Sequence, residues 1–271
     1  MVIGELIKQG GILNTDSPYK EARLILSHVS GLDLTFITIH PEKEISADIC
    51  AKYAELLDKR RNGMPLAYIT GTKEFYGYSF KVNPSVLIPR SDTEVLTEFA
   101  VKSNPKSLID ICTGSGCIAI SVKKSLPSCT VSALDISDAA LETARENAGI
   151  LGTDVNFFKT DILTEIPSGK YDFIASNPPY IRSGEIAALD TDVKNFEPHT
   201  ALDGGVGGLI FYERICEIAP QILMGGGVLE FELGYDQFDD VYNIMKTSFK
   251  NIDFIPDLSG IKRVIFGSFT A

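Results

Sequence analysis

The chain has 271 residues, long for one compact domain and ample for two, and its 44% apolar and 23% charged residues place it among globular rather than disordered or fibrous proteins. Lys and Arg number 25 against 36 Asp and Glu, a net charge of −11 that excludes a global attraction for phosphate backbones and makes nucleic acid a disfavoured partner. The five cysteines, Cys50, Cys112, Cys117, Cys129 and Cys216, are scattered without a C-x-x-C pair and have only three histidines to join them, which argues against a disulfide framework and against a metal site.

Glu5, Lys8 and Gln9 interrupt the apolar residues at the start, and no run of about 18 apolar residues occurs anywhere, so a cytoplasmic chain with no membrane partner is expected. As far as Asn62 the apolar residues keep helical spacing, with Ala22, Ile25 and Val29 on one stretch and Ile49, Tyr53, Leu56 and Leu57 on another. This predicts a small helical domain over residues 1–70. Ser17-Pro18 reads as the N-cap and first turn of one helix, and Gly31 as its stop.

Between Gly63 and Arg90 the pattern changes to short aromatic and β-branched runs, Phe75 to Phe80 and Val82 to Ile88, broken by Gly77 and Pro84. A β-hairpin linker over 71–90 is the expectation. Ser91-Asp92-Thr93-Glu94 then forms a capping box ahead of Val95, Leu96 and Phe99, and strand-like and helix-like segments alternate over 91–271. Strands are predicted at Ser107 to Cys112, Thr130 to Asp135, Val155 to Phe158, Tyr171 to Ser176 and Val228 to Leu233. Helices are predicted to begin near Gly116, Asp138, Gly208 and Tyr235. The fold class is α/β, with a mostly parallel sheet and right-handed crossovers. Ile252 to Ile255 and Arg263 to Phe266, on either side of Asp257-Leu258-Ser259-Gly260, supply an antiparallel edge.

The chemistry starts where the first of these strands runs through Cys112-Thr113-Gly114-Ser115-Gly116 into a helix. Glycines at such a junction let the backbone approach a ligand closely while helix N-terminal amides face it. Asp135, at the end of the next strand, can accept hydrogen bonds from both hydroxyls of a ribose. Together these read as an adenosine site. Gly114, Gly116 and Ala119 also satisfy the dinucleotide fingerprint, so the loop alone leaves open a dehydrogenase, a non-catalytic adenosine-binding module or a simple tight turn.

The fourth strand of the domain ends in Asn177-Pro178-Pro179-Tyr180. Each proline biases its predecessor away from the α region, which holds Asn177 and Pro178 extended at the carboxyl edge of the sheet, where ligands of open α/β sheets bind. Asn177 offers a side-chain carbonyl and Pro178 a main-chain carbonyl on a stiff strut, and Tyr180 offers a ring to stack on a flat group. Two acceptors beside a ring suit a planar NH2. A solvent-facing proline turn is the bland alternative.

Here the sequence resembles the protein-(glutamine-N5) methyltransferases of peptide chain release factors, the PrmC/HemK family. The resemblance covers nearly the whole chain. Beyond Asn-Pro-Pro-Tyr, which nucleic-acid amino-methyltransferases share, it rests on Pro65 to Gly71, Glu74-Phe75, Leu87-Ile88-Pro89-Arg90 with Thr93-Glu94, Asp135-Ile136-Ser137 and Phe196-Glu197-Pro198. It extends through Gly205 with Gly207-Gly208-Leu209, Glu232-Leu233-Gly234 and Asp257 to Gly260 with Arg263.

The resemblance implies an enzyme with a class I, Rossmann-like methyltransferase domain and an N-terminal helical domain that helps recognise the release factor. It implies S-adenosyl-L-methionine as cofactor, held by Cys112, Thr113, Gly114, Ser115, Gly116, Asp135, Ile162 and Asn177. The substrate glutamine, that of the GGQ motif, would meet Asn177, Pro178, Pro179 and Tyr180, with Asn177, Pro178 and Tyr180 carrying the catalysis. Cys112 stands where the family usually has the first glycine of its loop, and Ile162 where some members have an aromatic. The alternative function is methylation of an exocyclic amine on a nucleic-acid base.

His28, His40 and His199 are read as a helix residue and loop residues and receive no role. Arg90 and Glu197 either shape the pocket or form a buried ion pair or cap. Phe75 is read as a core aromatic rather than as a cation–π partner of a methylsulfonium.

Overall fold

The computed structural model describes residues 1–270. Along the chain come α1 (Ile3–Gln9), α2 (Pro18–Ser30), α3 (Leu34–Ile39), α4 (Ala47–Arg61) and α5 (Leu66–Thr70), then β1 (Thr72–Phe75), β2 (Tyr78–Lys81) and α6 (Thr93–Ser103). There follow β3 (Ser107–Ile111), α7 (Cys117–Ser125), β4 (Thr130–Asp135), α8 (Asp138–Leu151), β5 (Asn156–Lys159), β6 (Tyr171–Ser176) and α9 (Thr191–Phe196). The last elements are α10 (Ile210–Ile222), β7 (Leu223–Glu232), α11 (Phe238–Met245), β8 (Phe249–Pro256) and β9 (Lys262–Phe269). Two compact units divide the chain: Met1–Thr72 with Asp190–Phe196, and the remainder. The hairpin thus groups with the second unit, and the short helix α9 with the first.

In the helical unit, Ile3 and Leu6 of α1, Ala22, Ile25 and Leu26 of α2 and Tyr53 and Leu57 of α4 close one core. Pro18 occupies the first turn of α2, where its missing N–H is not needed, and the Gly31 amide donates to the Ser27 carbonyl to close the last turn. Ser17 makes no side-chain cap bond. The Tyr53 hydroxyl donates to the Leu6 carbonyl at 2.9 Å, and Arg60 forks onto Glu21 at 2.6 and 3.3 Å.

The hairpin turns at Tyr76-Gly77, both at positive φ, so the run Phe75 to Phe80 straddles the turn rather than forming a strand. Val82 to Ile88 is buried in part and forms no strand, because Pro84 and the approach to Pro89 disfavour a ladder. The capping box is absent: Asp92 precedes α6 without a side-chain cap bond, and the Glu94 carboxylate instead accepts from the Tyr76 amide at 2.9 Å.

The large sheet has the order β5-β4-β3-β6-β7-β9-β8, parallel from β5 through β7 and antiparallel across β7, β9 and β8. This is the α/β architecture expected, with its antiparallel edge. β7 starts at Leu223 rather than Val228, since Gly225 to Gly227 hide an irregular register from a pattern reading. One face packs Ile109, Ile174, Leu229 and Phe231 against α10 and α11. The other packs Leu108, Phe173 and Ala175 against α6, α7 and α8. Strands covered on both faces read as near-continuous apolar runs, which is why they are visible in the sequence. Chain order reverses between β3 and β6, so the crevice at their carboxyl ends is the natural ligand site. Among the described residues no helix is long and apolar enough to cross a membrane.

Candidate active site

The loop after β3 is held from the core side. Thr113 donates its hydroxyl to Asp110 Oδ2 at 2.6 Å and its amide to the Leu134 carbonyl at 2.9 Å, and the same Asp110 oxygen accepts from the Ala119 amide at 3.3 Å. Asn147 donates to the Ser115 carbonyl at 2.9 Å. Desolvation pushes the buried Asp110 carboxyl up to about 7, against the pull of the bonds from Thr113 and Ala119. Thr113 and Ser115 are therefore buried toward the core, Gly116 opens α7, and Cys112 and Gly114 face a cavity of ≈ 400 Å³. Cys112 adopts φ 65, a left-handed conformation that glycine takes without strain. Burial, with Asp135 and Asp110 behind it, pushes its thiol well above the ordinary range, so it is no nucleophile.

Asp135 ends β4 on the cavity wall. Its Oδ2 accepts from the Gly114 amide at 2.9 Å and its Oδ1 from the Ser137 amide at 3.0 Å, leaving lone pairs on both oxygens for a ligand. Burial raises this carboxyl, opposed by those amide bonds. Ile162 lines the same cavity, its carbonyl pinned by Arg214 Nε at 3.0 Å, beside Ile136 and Leu163. Among the described lining residues are three aspartates, Asp135, Asp161 and Asp203, and no lysine or arginine. Apolar walls for a flat ring, a carboxylate for hydroxyls and surplus negative charge fit a nucleoside that carries a cation. They fit a dinucleotide diphosphate poorly.

Asn177 follows β6 onto the cavity wall with Pro179. Its Nδ2 donates to Thr93 Oγ1 at 3.2 Å, and the Thr93 hydroxyl donates to Glu232 Oε2 at 2.5 Å. The Tyr180 hydroxyl reaches the other oxygen of Glu232 at 3.5 Å. Pro178 is buried and, like Tyr180, does not line the cavity; the Tyr180 ring packs on the core with its hydroxyl turned inward, rather than lying open for stacking. Burial pushes the Tyr180 phenol up, and Glu232 beside it adds to this.

The strut is braced from behind. Gln237 Nε2 donates to the Tyr180 carbonyl at 2.9 Å and to the Gly208 carbonyl at 3.2 Å, while Gln237 Oε1 accepts from the Gly234 amide at 3.1 Å. A Cβ at Gly204 would stand 2.8 Å from the Pro179 carbonyl oxygen, and one at Gly208 would stand 2.7 Å from Gln237 Nε2 and closer still to the Tyr180 oxygen. Only glycine lets this loop lie against the strut.

Residues 6–71 match the family described as PrmC N-terminal domain, and residues 91–195 match the methyltransferase small domain. The release factor glutamine methyltransferase of Koribacter versatilis is 41% identical over 259 residues, covering 94% of this chain and 92% of its own. That of Clostridium botulinum is 40% identical over 278 residues, covering 98% of each. The chain belongs to the release factor glutamine methyltransferase family. Among solved structures, a methyltransferase from Pyrococcus furiosus aligns with a TM-score of 0.56 at 19% identity, covering 73% of this chain and 92% of that one. The hMettl16 catalytic domain, in complex with MAT2A 3'UTR hairpin 6, aligns with a TM-score of 0.57 at 18% identity, covering 76% and 80%. Likeness at that level concerns the fold alone.

For this family member the structure also settles the residues left between two readings. Glu197, 4% exposed, pairs with Arg90 and accepts from the Ile88 amide at 3.1 Å, so one ion pair fastens the segment before α6 to the loop carrying Pro198 and His199. Both segments line the cavity, and His199 is therefore a wall residue where none was expected. Phe75, 1% exposed, meets Phe80 edge-on in the core. Asp110, Gln237 and the Thr93–Glu232 link were not assigned roles from sequence. For Glu232, two acidic residues alternating with Leu229 and Phe231 in a buried strand were the available signal.

Proposed function

We propose that this chain transfers a methyl group from S-adenosyl-L-methionine to the side-chain amide nitrogen of a glutamine in peptide chain release factors, the glutamine of their GGQ motif. One observation carries the reading at the site: the NH2 end of Asn177 is engaged by Thr93, which leaves the Asn177 oxygen as an acceptor on the cavity wall. An amide nitrogen is a poor nucleophile because its lone pair is delocalised. A fixed acceptor that takes one of its protons orients the nitrogen and favours a more electron-rich state, while Pro178, buried behind the wall, keeps Asn177 extended. Positioning of this kind lowers barriers by roughly 7–11 kcal/mol in favourable cases. When bound, S-adenosyl-L-methionine supplies an electrophilic methyl on a sulfonium.

Asp135 would hold the ribose hydroxyls and Ile162 would lie beside the adenine, with Cys112 and Gly114 on the wall of the same cavity. The aspartates of the lining favour the positive charge. Thr113, Ser115 and Gly116 shape the loop from behind, while Tyr180 and Pro179 keep the strut stiff. Neither Asn177 nor Pro178 is a base, so the proton released on methylation leaves to water. Residues 1–70 serve release-factor recognition, and a cytoplasmic location goes with that substrate. A nucleic-acid amine would present the same NH2, but the net charge of −11 and a lining without Lys or Arg weigh against it.

The test is incubation of the purified chain with S-adenosyl-L-methionine and either a release factor or a DNA or RNA duplex, followed by mass spectrometry. One added methyl on the release factor and none on the nucleic acid is expected. The converse overturns the assignment.

A further inference from the structure

We infer that Glu232 is a positioning residue for the reaction: acting through the Thr93 hydroxyl, it fixes which end of the Asn177 amide faces the substrate glutamine. The inference rests on the reading that the Asn177 oxygen accepts from the substrate. The Thr93 hydroxyl carries one proton, and it lies on Glu232 Oε2 at 2.5 Å. Toward Asn177 the hydroxyl can therefore only accept, which it does from Nδ2 at 3.2 Å. Thr93 and Glu232 are each 2% exposed, so no bulk water competes for these bonds.

The direction of the chain depends on the charge of Glu232. As a carboxylate it accepts from Thr93 on one oxygen and from Tyr180 on the other. Once protonated it can donate to Thr93, whose own proton is then free to turn toward Asn177. The amide rotates to accept it and presents its NH2 to the substrate. Two facing NH2 groups make no hydrogen bond, and the glutamine loses its guide.

The groups facing Glu232 come from every element around it: Asp92 ahead of α6, Arg263 of β9, Tyr180 of the strut, Tyr212 of α10 and Cys117 of α7. Burial raises its carboxyl to about 7, with Thr93, Arg263 and Tyr180 pulling it down and Asp92 pushing it up. The productive, ionised form is therefore present above neutrality and lost as the pH falls through about 7.

The test is kcat against pH for the full chain with a release factor as methyl acceptor, alongside calorimetric S-adenosyl-L-methionine affinity and melting temperature. The unaltered chain should show an acid limb near neutrality. Glu232→Gln should abolish that limb and lower kcat, Thr93→Val should lower kcat by about a hundredfold with cofactor affinity unchanged, and Thr93→Ser should restore it. A merely structural link predicts a lower melting temperature with an unmoved pH profile. Persistence of the acid limb in Glu232→Gln, or near-normal kcat in Thr93→Val, overturns the inference. Asn177→Ala separates the two levels: if it is inactive while Thr93→Val is normal, only the inference on Glu232 fails. If Asn177→Ala is itself normal, the strut reading fails with it.

Discussion

The carboxylate of Asp135 accepts the Gly114 amide at 2.9 Å, which ties the end of β4 to the glycine loop after β3. The residue that would hold ribose hydroxyls thus also sets the shape of the loop beside them. Asp135→Ala removes both functions and should weaken S-adenosyl-L-methionine binding by about 1–3 kcal/mol, read by calorimetry. Asp135→Asn keeps an acceptor for Gly114 and should lose less. Unchanged affinity in the alanine variant takes Asp135 out of the site.

Glu197 fastens two cavity walls through Arg90 and the Ile88 amide. Replacement by Ala leaves that amide without its acceptor and frees the segment holding Ser85 to Leu87. Cofactor affinity should drop by roughly tenfold or more, with a lower melting temperature. Retention of both would mean that the walls are held independently of the pair.

Gly208→Ala sets a Cβ against Gln237 Nε2 and the Tyr180 carbonyl, at φ 71. The strut must move, so turnover should fall by about a hundredfold. Because Gly208 does not line the cavity, cofactor affinity should change far less. Equal losses of turnover and affinity would show that the loop supports the cofactor rather than the strut.

Glu230 is fully buried with neither oxygen hydrogen-bonded, and burial, with Asp110 nearby, holds its carboxyl well above the ordinary 4.5. A raised folded-state value gives a stabilising contribution that is complete below the unfolded value near 4.5 and is lost as pH rises toward the folded one. The slope for one proton is about 1.4 kcal/mol per pH unit. Glu230→Gln removes this loss, so its melting temperature should exceed that of the unaltered chain by a margin that widens from acid to neutral pH. A constant margin would place the titration elsewhere.

The parallel strands were legible because both faces are buried and they read as apolar runs, and Thr130–Asp135 and Tyr171–Ser176 match residue for residue. Local signals at turns were less faithful. Ser91 to Glu94 has the spacing of a capping box, yet Glu94 is claimed by the hairpin amide of Tyr76, a tertiary partner that no local pattern contains. The cavity-facing positions Gly114, Asp135, Ile162 and Asn177 were readable from motif and resemblance. The supporting polar residues were not, because the partners of Thr93 and Gln237 lie on β7, on the strut and in the glycine-rich loop, far away in sequence.

The central claim is that Asn177 orients the glutamine amide, and its most direct measurement is kcat of Asn177→Ala on a purified release factor beside its S-adenosyl-L-methionine affinity. Asn177→Asp, which keeps an acceptor but adds charge and loses the NH2 that Thr93 holds, serves as control and should bind cofactor while methylating poorly. The account predicts that Asn177→Ala loses on the order of 10²–10³ in rate, as on removal of a preorganised transition-state contact, while cofactor affinity falls much less. Near-normal turnover by Asn177→Ala would contradict it and move the orienting role to another residue of the cavity wall.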